Sequence, residues 1–444
     1  MYDTVAQYGQ VLSGDIDDWH PPVLVRLWQL LHPLAAGTAP MFLVQVVLYA
    51  AGFSLIIGAL AITGRWRSAL GAALLALSPL LLGWQMVVLK DAQMLGGLLA
   101  ALGIFAHYHL TNRRMPAAAA IVVGLLLVYA TLVRANGLFA TVPLVVLMLP
   151  KRKRLLPSAA LAVAAMAAVL AVTPLINHRL FGAEPSGVAK TQPVFDLAAI
   201  AVASHDRTLF TEAELAQIDA RHCVKAFFWD PLGDPTACSA ATERLMDEPA
   251  GQLYAALAQS VGRHPLAYAL HRVAHWNSTE RWLVEPGLPD EAPPIEAEAN
   301  DLDLGTPSSQ TAATWQDDAA VEGATPLGWP IVWTVIALAL LPAAWRRRGD
   351  PAGNVSFALV VSALTLEASF LLVSIASDLR YHLWPMAASA LALVLLADDL
   401  RLKRLERIAA AAALLFVIAG GIVARNSLPR AADNYEGMVH AASG

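Results

Sequence analysis

The sequence predicts an all-α polytopic membrane protein with about ten transmembrane helices and a small α-rich domain outside the membrane. Of its 444 residues, 57% are hydrophobic and 15% are charged, whereas a soluble chain carries about a quarter charged residues. Several apolar windows also run for about 20 residues, the length that an α-helix needs to cross the hydrocarbon core of a bilayer.

Ten apolar windows define the predicted spans. The window 137–149 is short, so a tilted or partly re-entrant segment is the alternative there. In chain order the windows are 41–63, 68–88, 92–110, 117–133, 137–149, 155–177, 329–345, 355–376, 384–398 and 406–424.

Half of the basic residues, 15 of the 30 Lys and Arg, lie in five short connectors between these windows. The connectors are GRWRS, TNRRM, PKRKR, WRRRG and RLKRLER, and they occur at every second connection. Since basic loops remain in the cytoplasm, the alternation places all five on that side and agrees with ten spans. The expected location is the inner (plasma) membrane of a bacterium.

The remaining connections then face outward, the periplasmic side. No signal peptide precedes the first window within 1–40, so we expect an eleventh span upstream of Met1. Translocation of a short N-terminus without a leader is the alternative. The predicted modules are an N-terminal membrane module with the first outer loop (1–177), an extracytoplasmic domain (178–328), C-terminal transmembrane helices (329–425) and an outer tail (426–444).

The segment 178–328 holds 22 of the 35 acidic residues. Stretches such as EAELAQIDARHCVKAFF carry apolar residues at helical spacing, which predicts surface helices. The part 285–327 is rich in Pro, Glu, Asp, Ser and Thr. Such a composition favours a flexible segment, or one that is ordered only by contacts elsewhere.

Both cysteines of the chain, Cys223 and Cys238, lie in this domain. An oxidising compartment favours a disulfide between them, which would stabilise the domain by about 3 kcal/mol. Two free thiols are the alternative.

Four outward connections carry ionisable residues beside apolar windows. An intramembrane charge costs roughly 2.5 to 3.5 kcal/mol at a helix centre, so charges of both signs on one face predict a polar cavity open to the outside. Carboxylates there suit a general base or a metal ligand, and arginine suits a phosphate. The residues are Asp3, Asp15, Asp17, Asp18 and His20, then Lys90 and Asp91, then Arg134, and finally Asp378, Arg380 and Tyr381.

Each of these features has a simpler interpretation. Lys90 and Asp91 would form a local ion pair at a helix end, and Arg134 would extend to the lipid headgroups. The HPP sequence would only start a helix, because proline is favoured in the first turn. Glu367, inside an apolar window, must be paired or protonated, for packing as readily as for function.

The stretch YDTVAQYGQVLSGDIDDWHPPVLVRLWQLL resembles the first outer loop of GT-C glycosyltransferases, the class of protein O-mannosyltransferases and aminoarabinose-type lipid A transferases. Asp3 matches the first acidic position, and Thr4 stands where some relatives carry a second acid. The DWHPP element at 18–22 matches an Asp-x-His-Pro-Pro stretch and is the most specific element. VLKDAQMLGGLLA, VRANGL and LRYHLWP are similar to later outer elements, in the same order.

The resemblance implies a GT-C-like fold and inverting transfer of a sugar from a polyprenyl-phosphate carrier to a lipid, polysaccharide or protein acceptor. It implies no nucleic-acid partner and no certain cofactor, with a divalent metal as an open alternative. The implied roles are Asp3 as base, Asp18 and His20 shaping the site, Lys90, Arg134 and Arg380 neutralising phosphate, and Asp91 and Tyr381 contacting substrate.

Two other classes compete with this interpretation. A transporter or flippase of a lipid-linked sugar predicts internal repeats and charges deep in the spans, where the sequence offers only Glu367. A non-catalytic carrier-binding protein of the same fold is favoured by Thr4 and by the absent first span.

Overall fold

The computed structural model describes residues 2–149, 155–294, 297–305, 309–432 and 434–441. Within these ranges the regular structure is helical, without strands and with two isolated β-bridges. The basic connector at 150–154, parts of 285–327 and the end of the tail lie outside the described residues.

Twenty α-helices follow one another along the described chain. The first nine are α1 (Tyr2–Ser13), α2 (Pro22–Leu31), α3 (Ala39–Ile62), α4 (Trp66–Ala76), α5 (Pro79–Gln85), α6 (Lys90–Leu110), α7 (Ala117–Val133), α8 (Gly137–Met148) and α9 (Leu155–Leu175). The next six are α10 (Thr191–Ser204), α11 (Glu212–Ala220), α12 (Ser239–Asp247), α13 (Ala250–Arg263), α14 (Pro265–Thr279) and α15 (Gln310–Ala324). The last five are α16 (Pro330–Arg346), α17 (Pro351–Val373), α18 (Leu383–Leu396), α19 (Arg404–Ser427) and α20 (Tyr435–His440).

Five helices of the described chain are long and apolar enough to cross a membrane: Ala39–Ile62, Leu156–Leu180, Pro351–Val373, Leu379–Asp399 and Arg404–Ser427. The helices α4 and α5, bent by 52°, make a sixth if they are one broken span. Four further helices, α2, α7, α8 and α16, are apolar but shorter. The protein is therefore helical with several potential membrane spans, and a total of ten stays a prediction.

The predicted span at 68–88 is interrupted, because the helix ends at Ala76 and restarts at Pro79. Proline disfavours helical geometry in the residue before it and has no N–H of its own. Ser78 caps the new helix by accepting a hydrogen bond from the Leu81 amide. Pro79 was the sequence signal for this break.

The segment 285–327 contains a regular helix rather than only a flexible loop. Helix α15 packs on α5, and Ala319 is fully buried in this contact. Glu322 accepts hydrogen bonds from the Ser78 hydroxyl at 3.0 Å and from the Leu80 amide at 2.9 Å. The contacts with α5 thus account for the order of 310–324, although its composition resembles that of a linker.

Helices α3 and α6 pack closely through two glycines. A Cβ atom at Gly52 would lie 2.4 Å from the Leu99 carbonyl carbon, and one at Gly103 would lie 2.5 Å from the Gly52 oxygen. The two backbones therefore meet where neither helix carries a side chain. Their packing fixes α6, which begins with Lys90 and Asp91, against α3.

We expect Gly52→Ala to lower the free energy of unfolding by about 1 to 3 kcal/mol, since overpacking in a tight contact costs roughly that amount. Gly58→Ala on the same helix is the matched control, because nothing lies within 4 Å of its added Cβ. Thermal unfolding of both purified variants in detergent measures the difference. Equal midpoints would show that the two helices separate at little cost.

The helices α10 to α14 pack around a second hydrophobic core, separate from the core of the apolar helices. Its centre contains Phe195, Phe227 and Phe228, and a disulfide joins Cys223 and Cys238 with a Cα–Cα distance of 6.3 Å. Helix α20 folds back onto this core. The tail therefore belongs to the domain that the cystine loop stabilises.

Candidate functional site

Seven of the residues singled out from the sequence meet at one end of the apolar helices. They come from α1, from the loop before α2, from the start of α6, from the end of α7 and from the turn between α17 and α18. This end lies opposite the described basic connectors, since α6, α7, α17 and α18 each run from one group to the other. The residues are Asp3, His20, Lys90, Asp91, Arg134, Arg380 and Tyr381.

Asp3 is the centre of the first half of this cluster. Its Oδ2 lies 3.2 Å from the Lys90 Nζ and 3.1 Å from the Arg380 Nη1. Burial opposes ionisation of this carboxyl, but the charges of Arg380 and Lys90 outweigh burial and hold its pKa well below the usual range. Asp3 is therefore a carboxylate fixed between two cations.

His20 completes this half as a neutral ring. Its Nδ1 lies 3.0 Å from the Lys90 Nζ, and its Nε2 lies 4.0 Å from the Asp3 Oδ1. Burial, assisted by the Lys90 charge, lowers the pKa of His20 to about 3. The ring consequently accepts a hydrogen bond from the Lys90 ammonium and carries its own proton on the side of Asp3.

The second half is built on Asp91 and Arg134. The Arg134 guanidinium donates to the Asp91 Oδ1 and lies over the Tyr381 ring, 4.0 Å from its centroid. The Arg380 Nε is 3.8 Å from the Asp91 Oδ2. Lys90 and Asp91 thus pair with different partners rather than with each other, and Arg134 points into the protein instead of toward lipid headgroups.

Arg380 joins the two halves. Besides Asp3 and Asp91 it binds the Asp378 Oδ2, at 2.8 Å from its Nη2. The other Asp378 oxygen accepts a hydrogen bond from the Tyr435 hydroxyl at 3.3 Å. Three cations, Lys90, Arg134 and Arg380, therefore share one network with three carboxylates, and each cation contacts at least one of them.

Asp18 lies outside this network. Its Oδ1 accepts hydrogen bonds from the Ser186 amide and hydroxyl, both at 2.7 Å, and its Oδ2 lies 3.5 Å from the His178 Nε2. Both oxygens are thus engaged in joining the first loop to the segment before α10. A role of Asp18 in the reaction stays a prediction.

Sequence reasoning missed two carboxyl groups that the outer segment brings to the site. Burial, reinforced by the charge of Asp378, raises the pKa of Asp230 to about 7 and that of Asp290 to about 7. Arg281 is also buried here and donates to the Pro289 carbonyl at 2.8 Å. The local signals were the DPLGD stretch inside the cystine loop and the PDE stretch at 289–291.

Glu367 is paired, as a carboxyl group inside an apolar window has to be. The His382 Nδ1 lies 2.8 Å from its Oε2, and both residues are buried. Nearby, the Thr334 hydroxyl donates to Glu280 at 3.1 Å. Because His382 is two residues from Arg380, this contact helps to fix the turn that carries the central guanidinium.

No group of three or more His, Cys, Asp or Glu residues in the described part of the chain is arranged to hold a metal ion. The carboxylates Asp3, Asp91 and Asp378 each face a guanidinium or ammonium group instead. The positive charge that faces these carboxylates is that of Lys90, Arg134 and Arg380.

Searches with family models, among curated proteins and among solved structures found no match to this chain. The chemistry of the site therefore has to be judged from its own side chains.

Proposed function

We propose that this protein is a membrane glycosyltransferase that moves a sugar from a polyprenyl-phosphate carrier to a hydroxyl-bearing acceptor, with inversion, on the outer face of the inner membrane. The observation that carries the proposal is the convergence of Lys90, Arg134 and Arg380 from three separate segments at one end of the apolar helices. The GT-C resemblance of the same segments supports it.

A lipid phosphate is the ligand that this set of cations fits best. Negative charge develops on the phosphate oxygen as the bond to the sugar breaks, and preorganised cations stabilise that charge. Arg134 and Arg380 offer planar forks that hold two oxygens at once, and Lys90 adds a compact charge. The donor phosphate would compete with Asp3 for Lys90 and Arg380.

The lipid part of such a donor needs an apolar surface that leads to these cations. Helix α7 ends just before Arg134 and exposes apolar side chains three and four residues apart, namely Ile121, Leu125 and Val128. In a membrane this face contacts hydrocarbon. A prenyl chain lying along it would bring its phosphate to Arg134.

Inversion follows from direct displacement, in which the acceptor oxygen attacks the anomeric carbon opposite the departing phosphate. The resemblance gives the base role to Asp3, but a carboxylate with so low a pKa accepts a proton poorly at neutral pH. We therefore propose that Asp3 orients Lys90 and Arg380 toward the donor.

We expect Asp3→Asn to reduce transfer roughly 10²- to 10³-fold, the effect of removing one preorganised electrostatic group from a reaction site. The assay follows radiolabelled sugar leaving a panel of undecaprenyl-phosphate donors in membranes that contain the full chain. Asp15→Asn is the matched control, because Asp15 is exposed in the loop that follows α1. It should transfer at the wild-type rate.

Two outcomes would contradict the proposal in different ways. Equal transfer by Asp3→Asn and the wild type, at equal protein level, would remove Asp3 from the site. No transfer by any variant across the donor panel would remove the transferase function itself.

A further inference from the structure

The cystine loop of the outer domain is joined directly to the segment that carries Arg380. The Trp229 amide donates to the Ile375 carbonyl at 2.9 Å, and Phe228 forms an antiparallel bridge with Ala376. Asp230 follows at once and begins the 3-10 turn Asp230–Leu232. The outer domain thus places one of its carboxyl groups beside the cation network.

The surroundings of Asp230 differ from those of Asp3. Its carboxyl group makes no hydrogen bond or ion pair within the described part of the chain, and the residue keeps partial contact with solvent. Within the described part of the chain, the titratable groups that act on this carboxyl group include no cation that would stabilise its ionised form. Those groups are Asp378, Asp234, Asp3 and Tyr435.

An aromatic pair lies next to this carboxyl group. The rings of Trp19 and Trp229 are 6.0 Å apart between centroids, and Trp19 is 38% exposed. Trp19 is also followed in the chain by His20, whose ring accepts a hydrogen bond from Lys90. Tryptophan presents a large apolar ring with a polar handle, so an exposed ring here can pack on the C–H face of a sugar ring.

We propose that Trp19, supported from behind by the buried Trp229, and Asp230 form the acceptor subsite, which binds a carbohydrate, and that Asp230 takes the proton from its attacking hydroxyl. This assignment rests on the proposed transferase function. The two carboxylates then have different roles: Asp3 orients Lys90 and Arg380, and Asp230 acts as the base.

These groups account for each bond and each proton of the transfer step. The acceptor oxygen forms a bond to the anomeric carbon, and its proton passes to Asp230. The bond between the anomeric carbon and the phosphate oxygen breaks, and its electron pair leaves with the polyprenyl phosphate. Lys90, Arg134 and Arg380 face the resulting charge, and Asp230 returns its proton to solvent.

The base role predicts a specific pH dependence. Asp230 has to be ionised to accept a proton, and its pKa is raised to about 7 by burial and by the charge of Asp378. Transfer should therefore rise as the pH increases through about 7 and be low below it. A variant that lacks the carboxyl group should lose this dependence.

The test compares Asp230→Asn, Asp230→Glu and Asp234→Asn in membranes with the full chain, radiolabelled undecaprenyl-phosphate donors and an alkyl glycoside as acceptor. Asp230→Asn should lower kcat about 10²- to 10⁴-fold, the usual contribution of a general base, with unchanged KM for the donor. It should also lose the rise near pH 7, which Asp230→Glu should partly restore. Asp234→Asn is the control for kcat on the same loop, since its amide oxygen can still accept the Thr236 hydrogen bonds. Because the charge of Asp234 contributes to the raised pKa of Asp230, the rise in its pH profile should persist but move to lower pH.

The failures of the two proposals are distinguishable. A wild type that transfers sugar while Asp230→Asn keeps the same rate and pH profile would overturn the role of Asp230 and leave the transferase standing. A wild type that serves membrane acceptors but never alkyl glycosides would overturn the carbohydrate acceptor. A wild type that uses no donor would overturn the transferase function and, with it, this subsite.

Discussion

Replacing Arg380 by methionine should reduce sugar transfer at least about 10³-fold, at the upper end of what a single electrostatic group contributes. Its guanidinium contacts Asp3 at 3.1 Å, Asp378 at 2.8 Å and Asp91 at 3.8 Å. Methionine keeps much of the volume but removes the charge that joins these three carboxylates, and it leaves Asp378 without its guanidinium partner beside a site that has to receive a phosphate. Both the binding of the donor and the departure of its phosphate should suffer.

Arg380→Lys separates charge from geometry at this position. Lysine keeps the positive charge but loses the planar fork that reaches several oxygens, so we expect a loss between those of the wild type and Arg380→Met. In a double-mutant cycle, Asp3→Asn combined with Arg380→Met should lose less activity than the sum of the two single changes, because the residues act together.

Arg346→Met is the matched control for Arg380→Met. Arg346 pairs with Glu406 at 2.6 Å, but it does so at the opposite helix ends and is partly exposed. It should keep wild-type transfer, and donor-dependent release of radiolabel measures all the variants. If Arg380→Met matched it, the cation network would have no part in the reaction.

The alternation of basic and mixed connectors was enough to predict which residues share one end of the helices. It brought together Asp3, Lys90, Arg134 and Arg380 from four separate connections, and in the structure these residues are neighbours. Alternation cannot decide which charges pair, however. Adjacent residues on a helix point about 100° apart, so Lys90 turns to Asp3 while Asp91 turns to Arg134.

Residues from the outer domain could not be assigned to the site from the sequence. Asp230 and Trp229 depend on a pairing between the cystine loop and 375–376, more than 140 residues along the chain. No periodicity or composition encodes a pairing of that kind. The contacts of Asp18 could not be predicted for the same reason, because its partner Ser186 lies in a distant segment whose fold the local motif does not show.

Arg272 is the residue whose loss should most reduce stability. It donates to the Leu371, Phe370 and Ser374 carbonyls at the end of α17, at distances between 2.8 and 3.1 Å. Carbonyls in the last turn of a helix lack intrahelical partners, and the same guanidinium is 3.1 Å from the fully buried Asp196. The Arg272 side chain therefore donates hydrogen bonds to the carbonyls at the end of α17 and also neutralises the buried charge of Asp196.

Arg272→Met should lower the free energy of unfolding by about 3 to 5 kcal/mol, because it leaves a buried carboxylate without its guanidinium partner. Arg244→Met removes an exposed pair with Glu214 in the same domain and should cost below about 1 kcal/mol. Denaturant unfolding of both variants in detergent compares them. Since α17 leads directly to Asp378 and Arg380, transfer should fall in parallel with stability for Arg272→Met. A stable Arg272→Met with full transfer would mean that the outer domain and the cation network are held together by the cystine-loop contacts alone.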